Sequence, residues 1–563
     1  MAIVPSTNLV TWQGNVGVSG GIPTNGVQYG STLNPAGGGS DDQPAIQTAL
    51  NAASTQYGIS GTVQIVQLAA GAWRLNGTDL TAVNGVILRG TLSGATKSTV
   101  FTIPSGAQIQ VRNSPYDPSG SGSTNSALTT NATKGSTTIV VADASWVSVN
   151  DLIVISQLDD TSFVNPAGES DSTAQSYVYP GTYGLGQTCK VTGKASNTLT
   201  IEVPLYWDYT TTLSAKISKV MTAGRRLFGV EDIKFVRSTD VDTQFFAFDT
   251  VENCWLKNVE VSNIGRNGVL CYVCYRCEFR HCTFTGGALL GAGQGYGFAL
   301  YNYTSACLVE DNIATACHAA YITDLAPAGN VFGYNFEDLS IADSHQSPAL
   351  ATHGYHSLMN LAEGNYFNSK ILCDNTHGSG SSTTMLRNRI LGYSSTDHSY
   401  DNSAVHIYKW NRNCNLVGNI LGKVSWQTTT QTWYPTSYDP NTDKVVIRGG
   451  DNAAGTGSGA GGDSLATSNP IIEGNWDSVS GTVTWNITPE AIPDSYYYST
   501  TPAIFVGTGL AWPVYTSSMG NSATAQMIPA GYRYYNGGVD PVGSTQTSAM
   551  NGVAKIVGKA TIK

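Results

Sequence analysis

The sequence predicts an all-β chain folded as a parallel β-helix, a coil in which one strand-and-turn unit recurs along a single axis. Three observations predict it. A short phrase, apolar residues around a small polar one, returns at Asp232, Asn258, His281, Asn312, Asn335, Asn365, Asn388 and Asn419, at intervals of 26, 23, 31, 23, 30, 23 and 31 residues. The apolar runs are four to six residues long, rich in Val, Ile, Phe and Tyr, without helical spacing. The chain also holds 62 glycines, which an α-helical solenoid would not tolerate. Equivalent residues of such a coil stack in rows at about 4.7–4.9 Å, so the repeated Asn is expected to form an internal ladder that satisfies backbone groups at a corner.

Each element follows from local chemistry. Residues 1–40 are rich in Gly and Pro and are expected to wrap the end of the coil. A short helix comes next: Asp41 and Asp42 offer N-cap oxygens, Pro44 suits the first turn, and Ala45, Ile46, Ala49, Leu50 and Ala53 share one face. An open solenoid end needs such a cover. The first strands are read at 63–68, 73–75, 86–90, 99–103 and 108–111. A polar run at 113–126 interrupts them, and alternating strands at 137–141, 151–155, 190–192, 198–203 and 216–220 predict a small antiparallel β insertion. Its loop carries Asp159, Asp160, Glu169 and Asp171, a candidate for Ca²⁺, although no cofactor is required by the reading as a whole. The expected division is 1–126 for the wrap, cap and first turns, 127–225 for the insertion, 226–488 for the main coil, and 489–563 for a tail laid on the coil or on a neighbouring chain.

Composition narrows the function. Charged residues are 12% of the chain and the formal charge is −10, which disfavours a phosphate backbone as partner and excludes nucleic acid from the expectation. Neutral hydroxyl, amide and aromatic groups suit sugars. No stretch of eighteen apolar residues occurs and the first residues lack the pattern of a signal peptide, so neither membrane insertion nor a retained leader is expected. Ten cysteines include Cys271, Cys274, Cys277 and Cys282, spaced like a thiolate metal site. The repeat instead places Cys254, Cys277, Cys307 and Cys414 in one inward row, and strand alternation is expected to turn Cys274 away from Cys277. No metal site is expected there, and a chain of this size needs no disulfide framework.

Several phrases together resemble the pectate-lyase-like superfamily of right-handed parallel β-helix proteins: Trp12 to Pro23, Asp41 to Gln47, Ala69 to Leu75, Val86 to Gly90, and Ala132 to Thr137. The resemblance covers most of the chain and implies the right-handed fold. It implies polysaccharide lyase, glycoside hydrolase, epimerase or phage tailspike depolymerase activity without choosing among them. Missing a signal peptide and needing no disulfides, the chain leans toward the tailspike branch, which implies a homotrimer and an extracellular, secreted or virion-borne location.

Six of the eight histidines fall between His345 and His406. Aligning strand ends puts Asp249, Asn302, Asp324, the turn with His353 and His356, Asp374 and Lys409 in one polar row along an outer edge of the coil. Asp324 and Asp374 are then two turns apart, roughly 9–10 Å, near the upper end of the carboxylate separation of inverting glycosidases. On this reading one is the general acid and the other the base, with His353, His356 or His377 orienting them. A lyase would instead use His377, Lys409 and Arg387. Tyr355, Tyr408, Trp410, Trp426 and Trp433 are candidate sugar-stacking platforms. The expected function is polysaccharide binding and cleavage, hydrolysis ahead of elimination. A non-catalytic glycan adhesin or structural protein is the alternative, with Asp and His serving only as turn residues.

Overall fold

The computed structural model describes residues 3–104, 106–112, 124–160, 183–220, 225–287, 293–338, 348–354, 356–392, 402–424, 444–450 and 463–541. Three long sheets line a right-handed parallel β-helix. The first has 12 strands, from Val27–Gln28 to Ile471–Glu473; the second has 12, from Gly71–Arg74 to Thr482–Thr484; the third has 10, from Leu80–Thr81 to Lys444–Gly449. One turn of the coil visits all three, as Leu308–Glu310, Ile313–Thr315 and Ala319–Asp324 do before Val331–Gly333 resumes the first sheet. Among the described residues the ladders within these three sheets are parallel except the last, where Thr482–Thr484 turns back on Asn475–Asp477.

In-register stacking makes like residues neighbours, and the interior shows it. Trp73, Phe101 and Phe235 stack on successive turns with centroids 5.8 and 5.1 Å apart. The expected Asn ladder runs at the corner between the first two sheets: Asn312, Asn335, Asn365, Asn388 and Asn419 each donate a side-chain amide to the next rung, the last to Asn475, at 2.8–3.1 Å. From Asn335 on, each rung also accepts from the preceding Asn backbone N–H, as Asn365 Oδ1 does from Asn335 at 2.9 Å. Asp232, Asn258 and His281 stand one residue earlier in register, beside Asp311, Tyr334 and Gly364. Their positive φ values, 61°, 54° and 59°, are the reason: Asp, Asn and His serve that left-handed corner, so the repeated phrase spans two adjacent rows.

The capping helix is Gln43–Ser60, with Ile46, Leu50 and Ala53 buried against the first turn and Gly61 closing it at φ 69°. Asp41 accepts from Gln43 N, but Asp42 does not cap. Its two oxygens accept from Ala36 N and Arg74 N and tie the entering chain to the coil.

The insertion is a six-stranded antiparallel sheet from Asn125–Ala127 to Lys216–Lys219. Its apolar face packs on the corner after the third sheet, against Val273, Tyr303, Ala328, Leu358 and Met359. The N-terminal segment does more than wrap the end. It runs along the flank, where Gly17 N donates to Ala306 O, Trp12 Nε1 to Met359 O, and Asn8 Nδ2 to Asn415 Oδ1. Residues 489–541 cover the first two sheets and bury Tyr497, Phe505, Tyr515 and Ile528 against Leu308, Val331 and Phe336. Arg533, fully buried, donates to both oxygens of Asp311, which His281 also contacts at 2.8 Å.

All ten cysteines are buried. Cys274 does not turn away from Cys277: both lie in the interior with Cys271, because Val273 at φ 50° and Arg276 at φ 53° break the strand alternation between them. Among the described residues no helix is long and apolar enough to cross a membrane, and no group of three His, Cys, Asp or Glu is placed to hold a metal ion.

Candidate functional site

The outward face of the third sheet carries titratable groups at its strand ends. Register pairs Asp249 with Tyr272, Tyr272 with Tyr301, and Tyr301 with Asp324. Thr323, Thr352 and Cys373 are likewise partners, which sets Asp324, His353 and Asp374 side by side on three consecutive turns. The backbone confirms the stagger, with His353 N donating to Thr323 O and Asp374 N to Thr352 O. Asp324 and Asp374 are therefore two strand spacings apart, about 9–10 Å, with His353 between them.

His353 Nδ1 donates to Asp374 Oδ2 at 2.6 Å, and the other Asp374 oxygen accepts from Thr376 N at 3.0 Å. His377 stands edge-on to His353, ring centroids 4.8 Å apart. Behind Asp374 the buried Asn411 amide donates to Cys373 O and Asp374 O and holds the corner. Asp324 is buried, and among the described residues its Oδ1 has no hydrogen-bond partner. That oxygen lies under Gly354, where a Cβ would come within 2.0 Å of it; only a residue without a side chain permits the approach.

Asp324 and His353 are both shifted upward. Burial pushes the Asp324 carboxyl up to about 7, helped by the Asp374 charge and opposed by His353. Burial works against the His353 charge, but Asp374 and then Asp324 outweigh it and raise the imidazole to about 9. Near neutral pH this leaves a carboxylic acid that holds its proton in part, beside an imidazolium bound to a second carboxylate.

The other expected residues disperse. His356 is buried at the corner with φ 56°, and its Nε2 donates to Asp159 Oδ1 at 2.8 Å; it joins coil to insertion rather than facing the row. The same contact engages Asp159 of the acidic loop, while Glu169 and Asp171 lie outside the described residues. Arg387 is not in the site at all. It occupies the left-handed corner after the first sheet, and its guanidinium donates to Ile492 O and Pro493 O of the C-terminal segment. Lys409 follows the row, and Tyr408 takes its register position; Asn302 is displaced in the same way by Tyr301. Tyr408 is only 2% exposed and packs perpendicular to His406 at 4.2 Å, so it is no open platform. Trp410 takes the corner with φ 66°, its N–H donating to Asp463 and its ring 5.1 Å from the Arg412 guanidinium carbon. Tyr355, Trp426 and Trp433 lie outside the described residues.

Sequence reasoning missed Tyr272, Tyr296 and Tyr301, which gather on this face around Leu270, Ala299 and Ile322. A signal was present. The triplets Leu270-Cys-Tyr272, Ala299-Leu-Tyr301, Ile322-Thr-Asp324, Ala351-Thr-His353 and Leu372-Cys-Asp374 share the pattern outward, inward, outward, and aligning them on the inward residue recovers the row.

No protein-family model matches the sequence, and no curated protein matches it. Solved structures are similar in fold. The tailspike gp49 of Pseudomonas phage LKA1 has 14% identity over 67% of this chain and 57% of that one, with a TM-score of 0.41. The tailspike gp61 of Pseudomonas phage phi297 has 13% identity over 72% and 65%, with a TM-score of 0.45. The Gp54 tailspike of Acinetobacter baumannii bacteriophage AP22, solved with capsular saccharide, has 14% identity over 73% and 66%, with a TM-score of 0.34. This chain thus spans 57%, 65% and 66% of the lengths of those proteins.

Proposed function

We propose that this protein binds a polysaccharide along the outer face of the third sheet and hydrolyses a glycosidic bond there with inversion. The observation that carries the reading is the row Asp324, His353, Asp374 on consecutive turns. Asp324 is the general acid, since burial raises it to about 7 and keeps a proton available near neutral pH. Asp374 is the general base, held by the His353 imidazolium and the Thr376 N–H. Asp374 takes a proton from water as the water oxygen bonds to the anomeric carbon. The bond to the leaving oxygen breaks, and that oxygen takes the Asp324 proton. A backbone separation of two strand spacings, about 9–10 Å, lies near the upper end of the carboxyl separation with which the inverting class seats that water.

Elimination has less support, because Arg387 is turned to the C-terminal segment and cannot neutralise a uronate at this row. A non-catalytic glycan-recognition row is the second reading. It is favoured by one feature, the engagement of both Asp374 oxygens by protein donors.

The test is a panel of neutral and uronic-acid polysaccharides, followed for new reducing ends and for unsaturated-uronate absorbance. Reducing ends without absorbance, lost in both Asp324→Asn and Asp374→Asn, are expected. Absorbance would overturn hydrolysis, and binding without either signal would transfer the row to the recognition reading.

A further inference from the structure

Resting on that proposed function, we infer that Tyr301 and Tyr272 form two consecutive subsites for uncharged sugar units, on the side of Asp324 toward the N-terminal turns. Register places Tyr301 one turn and Tyr272 two turns from Asp324. Each step is about 4.7–4.9 Å, close to the advance of a glycan by one sugar residue. Both side chains are half-buried, and their rings meet edge to face with centroids 5.6 Å apart, over a floor that includes Leu270, Ala299 and Ile322. A half-covered aromatic surface with phenol groups at its edge matches a sugar ring's C–H face and rim hydroxyls.

Charge selects against acidic units. The row is bounded by Asp324 on one side of the tyrosines and by Asp249 on the other. Arg266, a cation whose charge reaches both tyrosines, holds Asp242 with two hydrogen bonds of 2.9 and 2.7 Å. Arg112 is in register beside Asp249 and offsets that carboxylate. A uronate laid on Tyr301 or Tyr272 would meet a partly ionised Asp324 at one end, the Asp249 carboxylate already offset by Arg112 at the other, and a cation engaged by Asp242.

The experiment uses the full-length Asp374→Asn protein, so that binding is read without turnover and both bounding groups, Asp324 and Asp249, are kept. Its affinity is measured for glucans and galactomannans as neutral probes and for polygalacturonate and alginate as acidic ones. A neutral probe is expected to bind most tightly, and Tyr301→Ala and Tyr272→Ala should each weaken it by roughly tenfold. Tyr301→Phe should retain most of the affinity, and circular dichroism should show all variants folded. Tighter binding of polygalacturonate or alginate, or tyrosine variants that bind as well as their parent, would overturn the inference while leaving hydrolysis standing. If no probe binds or is cleaved by the wild-type protein, the proposed function falls and the subsites fall with it.

Discussion

Replacing Asp324 by Asn should make the protein more stable at neutral pH while abolishing cleavage. The folded carboxyl titrates at about 7 because it is buried, whereas an unfolded Asp titrates near 3.9. Between these values the unfolded chain releases its proton and the folded chain does not, so stability falls as pH rises from 4 to 7. At about 1.4 kcal/mol per pH unit, and with the folded group half-ionised at pH 7, the wild type loses about 3 kcal/mol over that window. Asn has nearly the same shape and nothing to ionise. The stability difference between variant and wild type should therefore be near zero at pH 4 and grow by about 3 kcal/mol toward pH 7. Equilibrium urea unfolding of both proteins at pH 4, 5, 6 and 7 measures it, and common titrations cancel in the difference. His353, raised from 6.5 to about 9, adds its own pH dependence only above about pH 6, so the growth of the difference between pH 4 and 6 belongs to Asp324. A difference that stays flat with pH would refute the claim that burial raises Asp324, and with it the choice of Asp324 as the acid.

Other outcomes follow from the same geometry. Cleavage should decline as pH passes about 7, because the acid loses its proton, and the decline should be absent if Asp324 is not the donor. Gly354→Ala should suppress cleavage with the fold retained, since its Cβ would come within 2.0 Å of Asp324 Oδ1; wild-type rates would show the two do not meet. Asn365→Ala removes partners from Asn335 N–H, Phe332 O and the Asn388 amide oxygen, and should cost about 3 kcal/mol or more in urea unfolding. Arg533→Met leaves the buried Asp311 without its guanidinium and should cost about 3–5 kcal/mol. Limited proteolysis should then cut within 489–541 sooner than in the wild type.

Much of this was legible in the chain. A ladder residue must repeat because each Asn bonds the next, so Asn312 to Asn419 announced themselves by period. Strand ends repeat for the same reason, which put Asp324, His353 and Asp374 on neighbouring turns. Corners were less legible. At a left-handed residue the side chain leaves the two-residue alternation, so Arg387, His356 and Trp410 point where a strand pattern does not predict. Cys274 was misread similarly, with left-handed residues on either side of it. One-residue shifts at Asn302 and Lys409 came from aligning ends of phrases instead of their inward residues.

The sequence by itself determined the coil, its capping helix, the antiparallel insertion and the turns that carry the candidate acid and base, because each is specified by local period or by contacts between identical rows. Only the tertiary structure decided which of those groups lie together. The proton affinity of Asp324 depends on burial and on the charges facing it, the left-handed corners redirect His356 and Arg387, and the C-terminal segment claims one of them. Those are properties of through-space neighbours hundreds of residues apart in some cases, as with Arg533 and Asp311, and no local pattern encodes them.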